Sequence, residues 1–167
     1  ALAGLKPGPT FQGKSFARLL SNPKASIRDY VYTEHNWHDY QAHERGVRSK
    51  RYLYIRNAFP HLPGTPPADA VRSITYRNMQ QLQAAGKLPP EQQGCFVTPR
   101  PAEELYDTLN DPYSLQNLAG DPQYAEVLNE MRQAHEEWRR RTGDKVPVNP
   151  TPDRFDRETG QRLEPSG

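Results

Sequence analysis

With 167 residues, a hydrophobic fraction of 34 % and a mean hydropathy of −0.98, the chain is long enough for one domain but too polar for a large core. A net charge of +2 gives no basis for binding nucleic acid, one cysteine excludes an internal disulfide framework, and no apolar run is long enough for a membrane span. Seventeen prolines, about twice the ordinary share, predict long extended connections.

Residues 1–15 are rich in Gly and Pro and predict an irregular lead-in, without the charged-then-apolar layout of a signal peptide. Within it, Gly8-Pro9-Thr10-Phe11-Gln12-Gly13-Lys14-Ser15 matches the phosphate-loop pattern GxxxxGK[ST]. A phosphate loop needs a buried strand before it, free amides within it and a long helix after it. Here Gly4-Leu5-Lys6-Pro7 precedes, Pro9 removes an amide, and Pro23 cuts the following helix short, so the match carries no nucleotide site. Ser15–Leu20 predicts a short helical turn.

Ile27–His35 is rich in β-formers. Alternation puts Tyr30, Tyr32 and Glu34 on one face and Val31, Thr33 and His35 on the other, with bulk on both, which predicts a strand covered on both sides. Val47–Ser49 and Tyr52–Arg56 predict a hairpin turning at Lys50-Arg51, although that turn lacks the usual Gly or Asn. Prolines 60, 63, 66 and 67 make an extended loop. Ala68–Ala85 predicts one helix, with Val71, Ile74, Met79 and Leu82 on its apolar face and Gly86 as its stop.

Pro89–Pro101 is a second extended connector, and Leu105-Tyr106 marks a short strand that pairs with the hairpin. Asp121-Pro122 then opens the strongest helix: a side-chain acceptor at the cap, followed by Pro where the amide has no partner anyway. Tyr124, Val127, Leu128, Met131, Ala134 and Trp138 follow at helical spacing, Arg139–Arg141 suit the dipole, and Gly143 ends it. Residues 144–167 predict an extended tail. The sum is an α+β fold: a small antiparallel sheet of about four strands packed against a C-terminal helix.

The densest polar chemistry lies in Glu34-His35-Asn36-Trp37-His38-Asp39-Tyr40, which this reading places in a loop just beyond a strand end. Carboxylates and imidazoles flanked by aromatic faces suit a sugar ring. A zinc site from His35, His38 and His43 fits no strong spacing template. Arg45 and Arg48 offer two readings: a fork for an anionic ligand, or braces for carboxylates such as Glu104 or Asp107. The clusters Arg48-Lys50-Arg51 and Arg139–Arg141 read as solvated faces. Cys95 has no neighbouring His or acid and reads as a structural thiol.

The order of several short motifs resembles the closing segment of a sulfatase. They are Gly13-Lys14-Ser15-Phe16 with Leu19-Leu20, the Glu34-His35 segment, Arg45-Gly46-Val47-Arg48, Arg51-Tyr52-Leu53-Tyr54-Ile55-Arg56-Asn57, Glu104-Leu105-Tyr106-Asp107, and Asn117-Leu118-Ala119. Trp138 and Thr142-Gly143-Asp144 resemble the end of the family's final helix, and the whole is similar to the heparan N-sulfatase branch over residues 10–145. Ser114 departs from the family's usual Glu, and Lys50 from a small or acidic turn residue.

The resemblance implies a C-terminal subdomain of an alkaline-phosphatase-like hydrolase acting on sulfate esters or sulfamates. It divides the chain into a lead-in (1–26) to an N-terminal catalytic domain outside this chain, the subdomain (27–143) and a tail (144–167). Calcium and a formylglycine made from a CxPxR or SxPxR motif are expected in that other domain; Cys95 is followed by Phe96-Val97-Thr98, so no catalytic residue and no metal ligand is assigned here. The expected partners are that domain and a sulfated carbohydrate held by Glu34, His35, His38, Arg45 and Arg48, in a periplasmic, secreted or lysosomal setting. The alternatives are a non-catalytic acidic-glycan-binding or structural module, or a part of a related phosphonate or phosphodiester hydrolase.

Overall fold

A computed structural model describes residues 2, 4–6, 8–11 and 13–164. Four antiparallel strands, β1 (Val31–His38), β2 (Tyr40–Arg48), β3 (Tyr52–Asn57) and β4 (Glu103–Asp107), form one sheet in chain order. Five-residue α1 (Ala17–Ser21) precedes them. The segment 58–102 leaves the sheet between β3 and β4 and carries α2 (Ala68–Val71), α3 (Ile74–Ala84) and a 3₁₀ turn (Pro90–Phe96). The long helix α4 (Ala125–Thr142) crosses one sheet face and stops at Gly143, whose φ of 70° is the left-handed cap expected of a glycine. The phosphate-loop match includes Gln12, which lies outside the described residues.

Strand alternation explains the main core. Val47, Tyr54 and Leu105 point from successive strands onto Leu128, Met131 and Ala134 of α4, and Tyr32 stacks on Trp138 at 5.5 Å. The predicted apolar positions of α4 therefore do face the sheet. A second, smaller core joins Tyr40, Ala68, Val71 and Tyr76 to Phe96, Cys95 and Phe155 of the tail. Burial in it pushes the Cys95 thiol up, away from thiolate chemistry.

The hairpin turn works without Gly or Asn because Ser49 replaces them: its Oγ accepts from the amides of Arg51 and Tyr52. The Asn117-Leu118-Ala119 landmark has a similar logic. Asn117 Oδ1 accepts from the Leu105 and Ala119 amides and its Nδ2 donates to the Glu103 carbonyl, so one side chain stands in for a strand along the outer edge of β4.

Four expectations change. The strand predicted at Ile27–His35 runs from Val31 to His38, so the supposed 34–40 loop is the end of β1 and a tight turn at Asp39, whose φ is 65°. β2 begins at Tyr40, well before Val47. β1 is an edge strand with Val31, Thr33 and His35 exposed, not covered on both sides. The helix expected over 68–85 breaks at Ser73, whose side chain accepts from the Tyr76 amide and starts α3 afresh, leaving Ile74 in solvent.

Candidate functional site

Two cross-strand rows, one residue apart, lie on opposite faces of the sheet. On the α4 face, Glu34, Arg45, Arg56 and Glu103 sit opposite one another across all four strands. On the other face, His35, Glu44 and Asn57 form the neighbouring row across β1, β2 and β3. The predicted site residues therefore divide between the faces.

The first row is closed by ion pairs. Arg45, only 4 % exposed, donates through Nε and Nη2 to both oxygens of Asp144 at 3.0 and 2.7 Å, and Glu34 lies 3.8 Å from the same guanidinium. That fork holds the Asp144 carboxyl below its ordinary range. Arg132 of α4 forks onto Glu103, which also accepts from the Tyr54 hydroxyl, and these bonds depress the Glu103 carboxyl to about 2. The row borders a cavity of about 470 Å³ that also holds His43 and His135. Burial lowers both imidazoles and keeps them neutral. His135 Nδ1 lies 3.6 Å from Glu136; with the proton there, the unpartnered Nε2 is a lone pair and not a stranded donor.

The braces expected for Glu104 and Asp107 come from other residues. Arg51 forks onto Asp107, holding that carboxyl at about 2, while Glu104 accepts from the Tyr106 hydroxyl and faces Arg100. Arg45 goes to Asp144 instead, and the exposed Arg48 side chain donates, among the described residues, to Thr108 Oγ1.

The second row is unfinished. It opens into a cavity of about 280 Å³ whose lining includes His35, His38, Glu44, Asn57, Phe59 and Arg100. Between His35–Glu44 and Trp37–Gln41 the register slips, with Ala42 and His43 opposing the single residue Asn36. Such a bulge re-aims side chains at a strand end. His35 Nδ1 stands 3.8 Å from Glu44 Oε1, which accepts from Arg100 Nη1 at 2.5 Å. His38, two-thirds exposed, lies at the rim. Trp37 does not join them, because its indole donates to the Pro152 carbonyl of the tail. His43 turns to the opposite cavity, so the three histidines do not converge, and among the described residues no group of three or more His, Cys, Asp or Glu is arranged to hold a metal.

Asn57 is the residue that sequence reasoning passed over. It is 3 % exposed, and its Oδ1 accepts from the Phe59 amide at 3.0 Å, which fixes the amide orientation and leaves Nδ2 with no partner among the described residues. An unmet buried N–H costs about 1–3 kcal/mol. Its only sequence signal is its position at the end of the Arg51–Asn57 motif.

This sheet-and-helix arrangement is found in solved structures. The 2-O GAG sulfatase BT1596 superposes on 98 % of this chain and 28 % of its own, with a TM-score of 0.53 at 24 % identity. The fold is thus one that solved sulfatases contain as part of a longer chain. No family model matches the sequence. An ulvan-active sulfatase of Formosa agariphila is 36 % identical over 146 residues, covering 86 % of this chain and 24 % of that protein. The N-sulphoglucosamine sulphohydrolase of Homo sapiens is 44 % identical over 105 residues, covering 60 % of this chain and 20 % of that protein. The chain belongs to the sulfatase family and spans about a quarter of the length of the relatives it matches.

Proposed function

We propose that this chain forms a sugar-facing wall of a sulfatase's substrate pocket, through the cavity that carries His35 and His38. The substrate class is a sulfated carbohydrate, in line with the ulvan-active and N-sulphoglucosamine enzymes it resembles. The observation that carries this reading is the unfinished row His35–Glu44–Asn57: polar groups held by the sheet, beside the ring of Phe59, with hydrogen-bonding capacity left over. Calcium and formylglycine, supplied by the rest of the protein, would provide charge neutralisation and the nucleophile at sulfur.

The residues of this chain bind and orient. Contacts to a part of the substrate that does not react fix the sulfur in place and lower the barrier through positioning. Arg45 and Glu34 sit on the other face and hold the fold; Arg48 lies at the exposed end of β2. In the full-length enzyme, His35→Ala and His38→Ala should each lower kcat/KM for a sulfated glycan by about tenfold, the value of one or two hydrogen bonds, while a small aryl sulfate changes by less than about twofold. Equal losses on both substrates, or no loss on either, would refute the assignment.

A further inference from the structure

We propose that Glu44 and Asn57 form a hydroxyl-reading pair, so that this subsite accepts a free sugar hydroxyl and rejects the same position when it carries sulfate. The inference rests on the cavity being the sugar-facing one. The two residues lie opposite each other on β2 and β3, which places their side chains on one face as close neighbours. Asn57 lines the cavity with a buried N–H that has no partner among the described residues, on an amide held in orientation by the Phe59 bond. Glu44 presents an acceptor: Oε1 is engaged by Arg100, whereas Oε2 has no bond among the described residues.

A hydroxyl answers both at once, donating its hydrogen to the carboxylate while its oxygen accepts from the amide. A sulfate ester can only accept, and it would bring negative charge against Glu44. Among the described residues, neither guanidinium of the lining is free to offset that charge. The two guanidiniums of the lining are both engaged, Arg100 by Glu44, and Arg157 by Asp153 and the carbonyls of Gln41 and Pro63. The buried donor makes the discrimination steep, because an analogue lacking the hydroxyl leaves it unpaired.

The test uses the full-length enzyme and sulfated glucosamines that differ at a single ring position, which bears hydroxyl, hydrogen or sulfate. One position should show a loss in kcat/KM of about tenfold for the deoxy sugar and about a hundredfold for the extra sulfate. Glu44→Gln, which keeps the shape and an acceptor for Arg100, should relieve the sulfate penalty about tenfold. Asn57→Asp should erase the deoxy penalty, chiefly through KM. Wild-type-like discrimination in both variants would overturn the pair, as would a buried water that alone satisfies Asn57. So would equal losses on an aryl sulfate, which a merely structural role would give. If His35→Ala and His38→Ala are neutral on every glycan, the cavity assignment itself fails; if they are damaging and only the discrimination survives in the Glu44 and Asn57 variants, this inference alone fails.

Discussion

The rows that begin at Glu34 and at His35 share the same strands, yet one is finished and the other is not. In the first, every charge meets an opposite charge: Arg45 meets Asp144 and Glu34, and Glu103 meets Arg132 and Arg56. The helix α4 and the start of the tail supply the missing partners. In the second, α4 lies on the far side of the sheet, and among the described residues a buried amide and a carboxylate oxygen keep unused capacity. Charged residues that satisfy one another hold a fold together. Polar residues that do not are where a ligand gains most.

That contrast predicts large stability effects from one row and recognition effects from the other. Arg45→Met should be the most damaging change, because it strands Asp144 without its fork; a loss of about 3 kcal/mol is expected in urea unfolding of the full protein. A loss below about 1 kcal/mol would break the distinction. Glu103→Gln should cost about 1–2 kcal/mol, since it weakens charge-assisted bonds from Arg132 and Tyr54 at once.

Acid should expose the same groups. The Glu103 and Asp107 carboxyls are held at about 2, below their unfolded values, so their stabilisation is complete above the ordinary carboxylate range and is lost as pH falls toward 2. The buried His43 and His135, lowered from the ordinary imidazole value, add a loss that begins as pH drops below about 6.5, because the unfolded chain takes up those protons first. Thermal unfolding across pH should therefore show a plateau near neutrality and a falling acid limb. In Glu103→Gln the limb between about pH 4.5 and 2 should flatten; an unchanged limb would show that the fork contributes nothing. The smallest effect is expected for Arg48→Ala, within about 0.5 kcal/mol, because that exposed side chain makes one bond among the described residues, to Thr108.

Sequence reasoning reached the elements whose signals are local. The apolar spacing from Val127 to Trp138 and the stop at Gly143 specify α4 without help from the rest of the chain, while the Asp121 cap opens a 3₁₀ turn over Pro122–Tyr124 and the α-helix proper starts at Ala125. It misjudged β1 because an exposed edge strand need not alternate apolar and polar residues, so Glu34–Tyr40 looked like a loop. It ran 68–85 together because Ser73 is compatible with a helix interior and only its bond to Tyr76 reveals a second start.

The candidate site was half legible. His35 and His38 stood out by residue type, whereas Asn57 did not, since an asparagine at a strand end is ordinary until its burial and its unpaired amide are known. Arg45 also stood out, but its partner Asp144 lies 99 residues away, beyond any local pattern.

By itself the sequence determined the family's order of motifs, the antiparallel strands and the long capped helix, because hydrophobic spacing and capping act over a few residues. Only the tertiary structure decided which polar side chains answer one another and which stay unanswered. Hydrogen bonds and ion pairs are short-ranged, and whether two groups meet depends on strand register and on which face α4 covers.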